Sequence, residues 1–444
     1  MAAASALSAA ALGWRSRASS QGGGAGDAPL DALVIGAGLA GLACAQRLRA
    51  AGRRVLVLEA RQRLGGRIWT ERSQGLAIDL GASWLHGMAN NPLYPLLTRE
   101  LGLPVLPSDG LGQITVGPDG RRWDGARHER AEAWLAALVA RAEQQGEPDQ
   151  PLSALLPPRL SPDQRFTLIA DVEHELGAAP GAIAADAPLG DGQPLLGGDA
   201  LVPGGLDQLV RHLAQGLEIR LAQVVRQIHN SPQGVRVTTA SGAVYQARGL
   251  CCSVPLGVLK AGSIRFEPPL PAAKQRAIET LGMGLLDKIV LLFPERFWDA
   301  RGWLRNDGPE PGLWSEWVDL TALIGRPGLM GFNAAEVARR VARQSDGAIV
   351  SSALAQLRRC YPNAVIPEPS AVRITRWGDD PFALGSYSFA AVGSTNAMRQ
   401  ELGRRWQGMV LAGEAISPAF PATLQGAYLS GQHAAQSLLS LWGA

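Results

Sequence analysis

The chain has 444 residues, roughly three times a typical ~150-residue domain, so two large domains are expected rather than one compact core. Lys and Arg total 42 against 39 Asp and Glu, a formal charge of +3, which lacks the concentrated basic face of a nucleic-acid binder. Charged residues are only 18% and hydrophobic residues 46%, with 53 glycines, which is too apolar for disorder and suits a globular protein around something large, flat and buried.

In chain order, residues 1–14 are Ala-rich and uncharged, followed by Arg15, Arg17 and a Ser/Gly stretch over 19–26. They resemble the apolar and cleavage regions of an export signal without the basic segment that precedes one. Residues 1–29 are therefore read as a disordered tail or a remnant export signal. The tail reading favours a soluble cytoplasmic protein; a truncated signal would make it periplasmic or exported.

Order begins near Leu30. Ala32-Leu33-Val34-Ile35 is a buried-strand run ending in Gly36-Ala37-Gly38-Leu39-Ala40-Gly41. Helix formers fill 42–51, Gly52 stops them, and Arg54-Val55-Leu56-Val57-Leu58-Glu59 is a second strand. Strand, glycine turn, helix and strand open a doubly wound α/β unit. Helices are predicted over 131–144 and 162–176, with a Gly/Pro-rich run over 177–205. Strands follow at 219–221 and at 235–239, the latter the outer part of a hairpin turning at 231–234, and a buried strand at 249–254. Region 266–394 reads as irregular apart from a strand at 289–293 and a helix at 336–343. Residues 415–444 lack Asp, Glu, Lys and Arg, yet Pro418, Pro421, Gln425 and Gln432 suit a buried helix better than a membrane span. Cys44, Cys251, Cys252 and Cys360 have no C-x-x-C spacing, so neither a metal cluster nor a disulfide framework is expected.

Gly36-x-Gly38-x-x-Gly41 is weak alone, but it follows a strand, opens a helix, and precedes Glu59 at the end of the next strand. Gly36 permits the tight turn, Gly38 lets the backbone approach a pyrophosphate, and Gly41 lets helix and strand pack. The helix N-terminus, with the main chain at Ala37, offers N–H groups to phosphate. Glu59 would accept ribose hydroxyls and repel a 2′-phosphate, which excludes NADP.

The segment Glu59-Ala60-Arg61 with Leu64-Gly65-Gly66-Arg67-Ile68 resembles the extended fingerprint of the flavin-containing amine oxidases. So do Gly81-Ala82-Ser83-Trp84-Leu85-His86-Gly87, Val202-Pro203-Gly204-Gly205-Leu206-Asp207 and Val224-Val225-Arg226. Further matches are Val254-Pro255-Leu256-Gly257-Val258-Leu259-Lys260 with Phe266-Glu267-Pro268-Pro269, then Leu411-Ala412-Gly413-Glu414-Ala415 and Ala422-Thr423-Leu424-Gln425-Gly426. The likeness covers about residues 30 to 442 and is closest to the polyamine oxidase branch.

The resemblance implies a Rossmann-like FAD-binding domain from 30–110, 200–265 and 395–444, interlaced with an α+β substrate-binding domain from 111–199 and 266–394. Gly66 and Arg67 would lie along FAD, with the Arg67 guanidinium on its phosphates or ribityl chain. Ser83, Trp84 and Leu424 would line the cofactor, an edge strand would touch the adenine through Val225, and Gly413 and Glu414 would sit near the pyrophosphate. Lys288, in Gly284-Leu285-Leu286-Asp287-Lys288-Ile289-Val290, would bind a water near flavin N5, although a lysine at a strand end more often points to solvent. Trp377 would pack on the flavin. Ser386 stands where monoamine oxidases carry a flavin-bonded Cys, so FAD is expected to be noncovalent. Tyr387 would form one wall of an aromatic cage and Thr423 the opposite one, in place of a second tyrosine. His86 would face the substrate tunnel, and Glu173 is a weaker candidate for pairing with a distal ammonium.

The implied activity is oxidation of a (poly)amine by hydride transfer to flavin N5, imine hydrolysis to an aldehyde, and reduction of O2 to hydrogen peroxide. The partners expected are a small amine and O2, with no nucleic acid and no integral membrane segment; the oligomeric state is not readable. The rival readings are an L-amino-acid oxidase, needing an arginine such as Arg305 or Arg326 for a carboxylate, and a catalytically silent flavoprotein. A histone lysine demethylase shares the catalytic core but needs an inserted helical tower, for which there is no long charged heptad segment.

Overall fold

The computed structural model describes residues 29–108, 110–187, 189–190 and 192–443. The reading of the N-terminal tail falls on 1–28 and so lies outside the described residues.

The apolar run Ala32–Ile35 becomes the central strand of a five-stranded parallel sheet, buried on both faces. It pairs with Val55–Leu58 on one side and Gly249–Cys252 on the other; Glu218–Arg220 and Met409–Leu411 complete the sheet. These strands come from three distant stretches of chain. Leu39–Ala50 forms the helix after the glycine turn, and it packs against the C-terminal helix Leu424–Leu441. The two approach so closely that a Cβ at Gly431 would lie 2.1 Å from the Ala40 carbonyl oxygen. The uncharged C-terminus is thus a buried helix against the nucleotide half.

Val225–Ser231 is not an edge strand. It lies between Gly234–Thr239 and Arg265–Glu267, although pairing with the latter begins only at Gln227. Val225 therefore keeps one side of its main chain free of strand partners and turned to the cavity described below.

Region 266–394 is far more regular than its sequence suggests. It supplies five strands of a six-stranded sheet, in the order Ala371–Ile374, Leu286–Leu292, Gly328–Ala334, Glu316–Asp319, Trp303–Asn306 and then Gln113–Val116. Gly328–Ala334 illustrates why these strands were illegible: all seven residues are buried, so no alternation marks them, and two are glycines. Lys288 pairs across the sheet with Phe332, Phe332 with Glu316, Glu316 with Arg305, and Arg305 with Thr115. Directly opposed residues share a face, and from this row Lys288, Phe332 and Glu316 line the cavity described below.

Two helical segments close the other side. Gly125–Gln145 is capped by Asp124, and 162–176 starts with a Ser161–Gln164 capping box. The second contains a π-helical turn, Ile169–Glu173, and ends at Gly177 in the left-handed conformation.

Candidate active site

One cavity of about 1110 Å³ runs from the glycine loop to the helix 162–176. It exceeds the ~1,000 Å³ upper range of ordinary ligand pockets, leaving room for a cofactor and a substrate together. Every residue singled out in the sequence for the cofactor or for catalysis lines it except Ala37 and Gly41; Glu173, a candidate for pairing with a distal ammonium, does not. Ala37 and Gly41 act from behind. The Ala37 N–H donates to Glu59 Oε2 at 2.7 Å, and Gly41 lies so close to Gly36 that a Cβ would come within 2.0 Å of its carbonyl oxygen.

Glu59 also accepts the Arg61 N–H, so its carboxylate braces the glycine turn as well as facing the cavity. No side chain caps the helix that begins after Gly38, and its first turn carries no acid, which leaves that terminus suited to an anion. Arg61 is held by Asp380 at 2.8 Å and stacks over Phe382, yet its Nη2 is buried without a hydrogen-bond partner on the protein. A cationic donor left over in the cavity that the uncapped helix terminus also faces fits the pyrophosphate of FAD.

Arg67 reaches Glu414 across 347 residues, at 2.7 Å, and also donates to the Ser386 carbonyl. Glu414 further accepts from the Ser388 hydroxyl and the Ala422 N–H. Burial alone raises a carboxyl, but Arg67 and Ser388 together hold Glu414 below its usual range. Ser386 pairs its hydroxyl with both the N–H and the carbonyl of Leu286. Thr423 caps the C-terminal helix through the Gly426 N–H, aiming that N-terminus at the cavity.

Lys288 does not point to solvent. Its ammonium is buried and donates to the Gly81 carbonyl (2.5 Å), the Ser83 hydroxyl (2.6 Å) and the Asp79 carbonyl (3.3 Å), so its three donors all meet protein acceptors. Burial pushes it down to about 8, with Asp79 pulling the other way. It lies 5.8 Å from the ring of Trp84, which stacks on Trp303. Trp377 donates to the Leu80 carbonyl and packs edge-on against Trp69.

At the far end, the Tyr387 hydroxyl donates to the His174 carbonyl at 2.6 Å. Burial, with Glu175 and Glu316 nearby, pushes its phenol well above the ordinary value. His86 pairs with Asp199 at 2.6 Å. Glu173 does not line the cavity; Glu175 does, open to the cavity yet deep in the protein, where burial raises its carboxyl. Glu143, Asp186, Asp199 and Glu316 line the same cavity. The π-helical turn hid this, because an extra residue per turn changes which side chain faces inwards. For Glu143, Asp186 and Glu316 no motif marks the positions, and only the fold brings them together.

The family model described as flavin-containing amine oxidoreductase matches residues 39–156 and 181–439. The chain is 34% identical over 428 residues to polyamine oxidase 2 of Arabidopsis thaliana, covering 91% of this chain and 87% of that protein. It is 35% identical over 437 residues to lysine-specific histone demethylase 1 homolog 3 of Oryza sativa subsp. indica, covering 91% of this chain but 53% of that protein. A solved structure of a putrescine oxidase double mutant, redesigned in cofactor binding, shares the fold with a TM-score of 0.78 at 21% identity, covering 93% of this chain and 99% of that one. With the dinucleotide turn, the Arg67–Glu414 bridge and a cavity sized for cofactor and substrate, these similarities place the chain in the flavin-containing amine oxidoreductase family, enzymes that use FAD.

Proposed function

We propose that the protein oxidises polyamines, and that its FAD is held without a covalent bond. The carrying observation is the acid lining: Glu143, Glu175, Asp186, Asp199 and Glu316 all line the cavity that Tyr387 lines, Asp199 paired with His86 and Glu316 with His174 and Arg305. A cavity so lined suits a substrate with several amine groups, protonated except at the nitrogen next to the carbon to be oxidised. Bound FAD supplies the two-electron acceptor. Trp84, Tyr387 and Thr423 would orient the amine, and the surrounding apolar walls would exclude bulk water. Lys288 would hold a proton at its Nζ beside Ser83. The substrate becomes an imine that water hydrolyses to an aldehyde and a shorter amine, and O2 takes the electrons as hydrogen peroxide.

The five-stranded and six-stranded sheets supply the cofactor and substrate halves, interlaced along the chain as 30–110, 200–265 and 395–444 against 111–199 and 266–394. The cavity disfavours a free amino acid. Arg305 is taken up by Asp171 and Glu316, and neither it nor the exposed Arg326 lines the cavity, so neither serves as a carboxylate anchor. Serine at 386 has no sulfur for a thioether. No helix among the described residues is long and apolar enough to cross a membrane.

The test is an anaerobic flavin-reduction screen over spermidine, spermine, monoamines, amino acids and an N-methyl-lysine peptide. Rapid bleaching by polyamines is expected; bleaching by the peptide or by amino acids alone overturns the substrate assignment. Acid precipitation should release the flavin into the supernatant, and flavin retained on the denatured chain overturns the noncovalent assignment.

A further inference from the structure

We propose that Arg305 is a positioning residue that fixes the aromatic wall of the cavity through a relay of Glu316, His174 and Tyr387. The inference rests on the amine-oxidase reading of this cavity.

Arg305 sits directly across the sheet from Glu316, with its Nε 2.8 Å from Glu316 Oε1. Its Nη2 lies 2.7 Å from Asp171 Oδ1, on the π-helical turn of 162–176. The other Glu316 oxygen is 2.6 Å from His174 Nδ1, and the His174 carbonyl accepts the Tyr387 hydroxyl at 2.6 Å. Asp171 and His174 are three residues apart on one helical segment, so Arg305 ties that segment to the sheet at two points, once directly and once through Glu316. Tyr387 is thereby oriented by a carbonyl whose own place depends on the guanidinium.

The chemistry favours arginine specifically. The guanidinium donates through Nη2 to Asp171 and sits in ion-pair contact through Nε with Glu316, so one delocalised cation spans two carboxylates arriving from a helix and a strand; a compact ammonium does not cover both points. Glu175 adds a third carboxylate near Glu316 and Asp171. Without the guanidinium these like charges repel one another in a desolvated corner, and the least costly relief is movement of 169–176 away from the sheet. That movement carries the acceptor of Tyr387 with it.

The experiment compares Arg305→Met, Arg305→Lys, Tyr387→Phe and the Arg305→Met/Tyr387→Phe pair as holoenzymes. Hydrogen exchange at 169–177 reads the staple without any substrate, and stopped-flow flavin reduction reads the wall, using whichever amine reduces the wild type fastest. Arg305→Met is expected to keep its flavin while exchange in that segment rises about tenfold or more. Its limiting reduction rate should fall about tenfold or more, with a smaller change in the half-saturating amine concentration. Tyr387→Phe should slow reduction comparably, the double variant should be no slower than the worse single one, and Arg305→Lys should recover part of both effects. Faster exchange with an unchanged limiting rate reduces Arg305 to a structural role and overturns the proposal. So do unchanged values in both readouts, or penalties of the two single variants that multiply. Should Arg305→Met fail to fold, Arg305→Lys and its pair with Tyr387→Phe carry the same comparisons. If polyamines fail to reduce the wild type but another amine succeeds, the substrate assignment falls while the relay is still decided.

Discussion

Lys288 combines deep burial, three protein acceptors and a proton affinity lowered to about 8 by desolvation. Below that pH its ammonium has no donor to spare; above it, the neutral amine gains a lone pair. Replacing it by Met keeps the volume and removes the proton. Flavin reduction by amine is expected to slow by about a hundredfold or more with FAD still bound, and an unchanged rate would remove Lys288 from the chemistry. The pH dependence of stability has a definite sign. Between about pH 8 and the ordinary lysine value of 10.5, the unfolded chain holds more protons at this site than the native one, so native stability rises with pH. Burial pushes Asp79 up to about 6, so it has already ionised below that window. Urea midpoints at pH 7 to 10 should therefore diverge in favour of the wild type over Lys288→Met as pH rises. Glu175 gives a second expectation at this scale. Glu175→Gln should raise the KM for spermidine about tenfold with kcat largely kept, the worth of one charge-assisted contact; an unaltered KM would mean that Glu175 does not meet the substrate.

Among the elements, the glycine turn separates two requirements that its motif presents as one. At Gly41 a Cβ would collide with the Gly36 carbonyl at 2.0 Å, whereas at Gly38 the nearest atom is 3.8 Å away. Gly41→Ala must therefore push helix Leu39–Ala50 off its strand, and a loss of about 3 kcal/mol or outright loss of flavin is expected. Gly38→Ala should leave the thermal stability of the apoprotein unchanged and weaken FAD binding, because its methyl group enters only the space meant for the ligand. A thermal scan of both apoproteins with a flavin titration distinguishes them. This turn was legible because its constraints are local: a positive φ at Gly36 and a close approach five residues on. Helix 162–176 was equally legible as a helix, yet its inward face was not. The π-helical turn changes the phase, so Glu175 faces the cavity, while Glu173, a weak candidate more readily read as part of a solvated face, does not line it. The strand expected over 289–293 runs instead from Leu286 to Leu292, so Lys288 lies inside it rather than at its end, and its sheet was missed since fully buried strands show no alternation.

At the scale of the whole molecule, near-neutral net charge says nothing of the acids that line its interior cavity. The chain carries +3 overall while Glu143, Glu175, Asp186, Asp199 and Glu316 line the cavity. Asp199 is partly screened in place by His86, and Glu316 by Arg305 and His174. Long-range attraction of a polycation should therefore depend on salt. Raising ionic strength from about 0.02 to 0.5 M shortens the Debye length several-fold and should lower kcat/KM for spermine far more than for a monoamine, with kcat little changed. Equal salt dependence for both substrates would show that the acid lining does not steer them.

By itself the sequence determined the nucleotide half: strand, glycine turn, helix and acidic strand end are short-range requirements of backbone geometry and of phosphate recognition. It also determined the family, since those motifs recur in fixed order along most of the chain. Only the tertiary structure decided what surrounds Lys288, that Arg67 meets Glu414, that Arg305 belongs to Glu316 and Asp171, and that five carboxylates share one space. The physical reason is that desolvation and Coulomb energy depend on distance and burial, and residues hundreds of positions apart acquire both only when the two sheets close over the cavity.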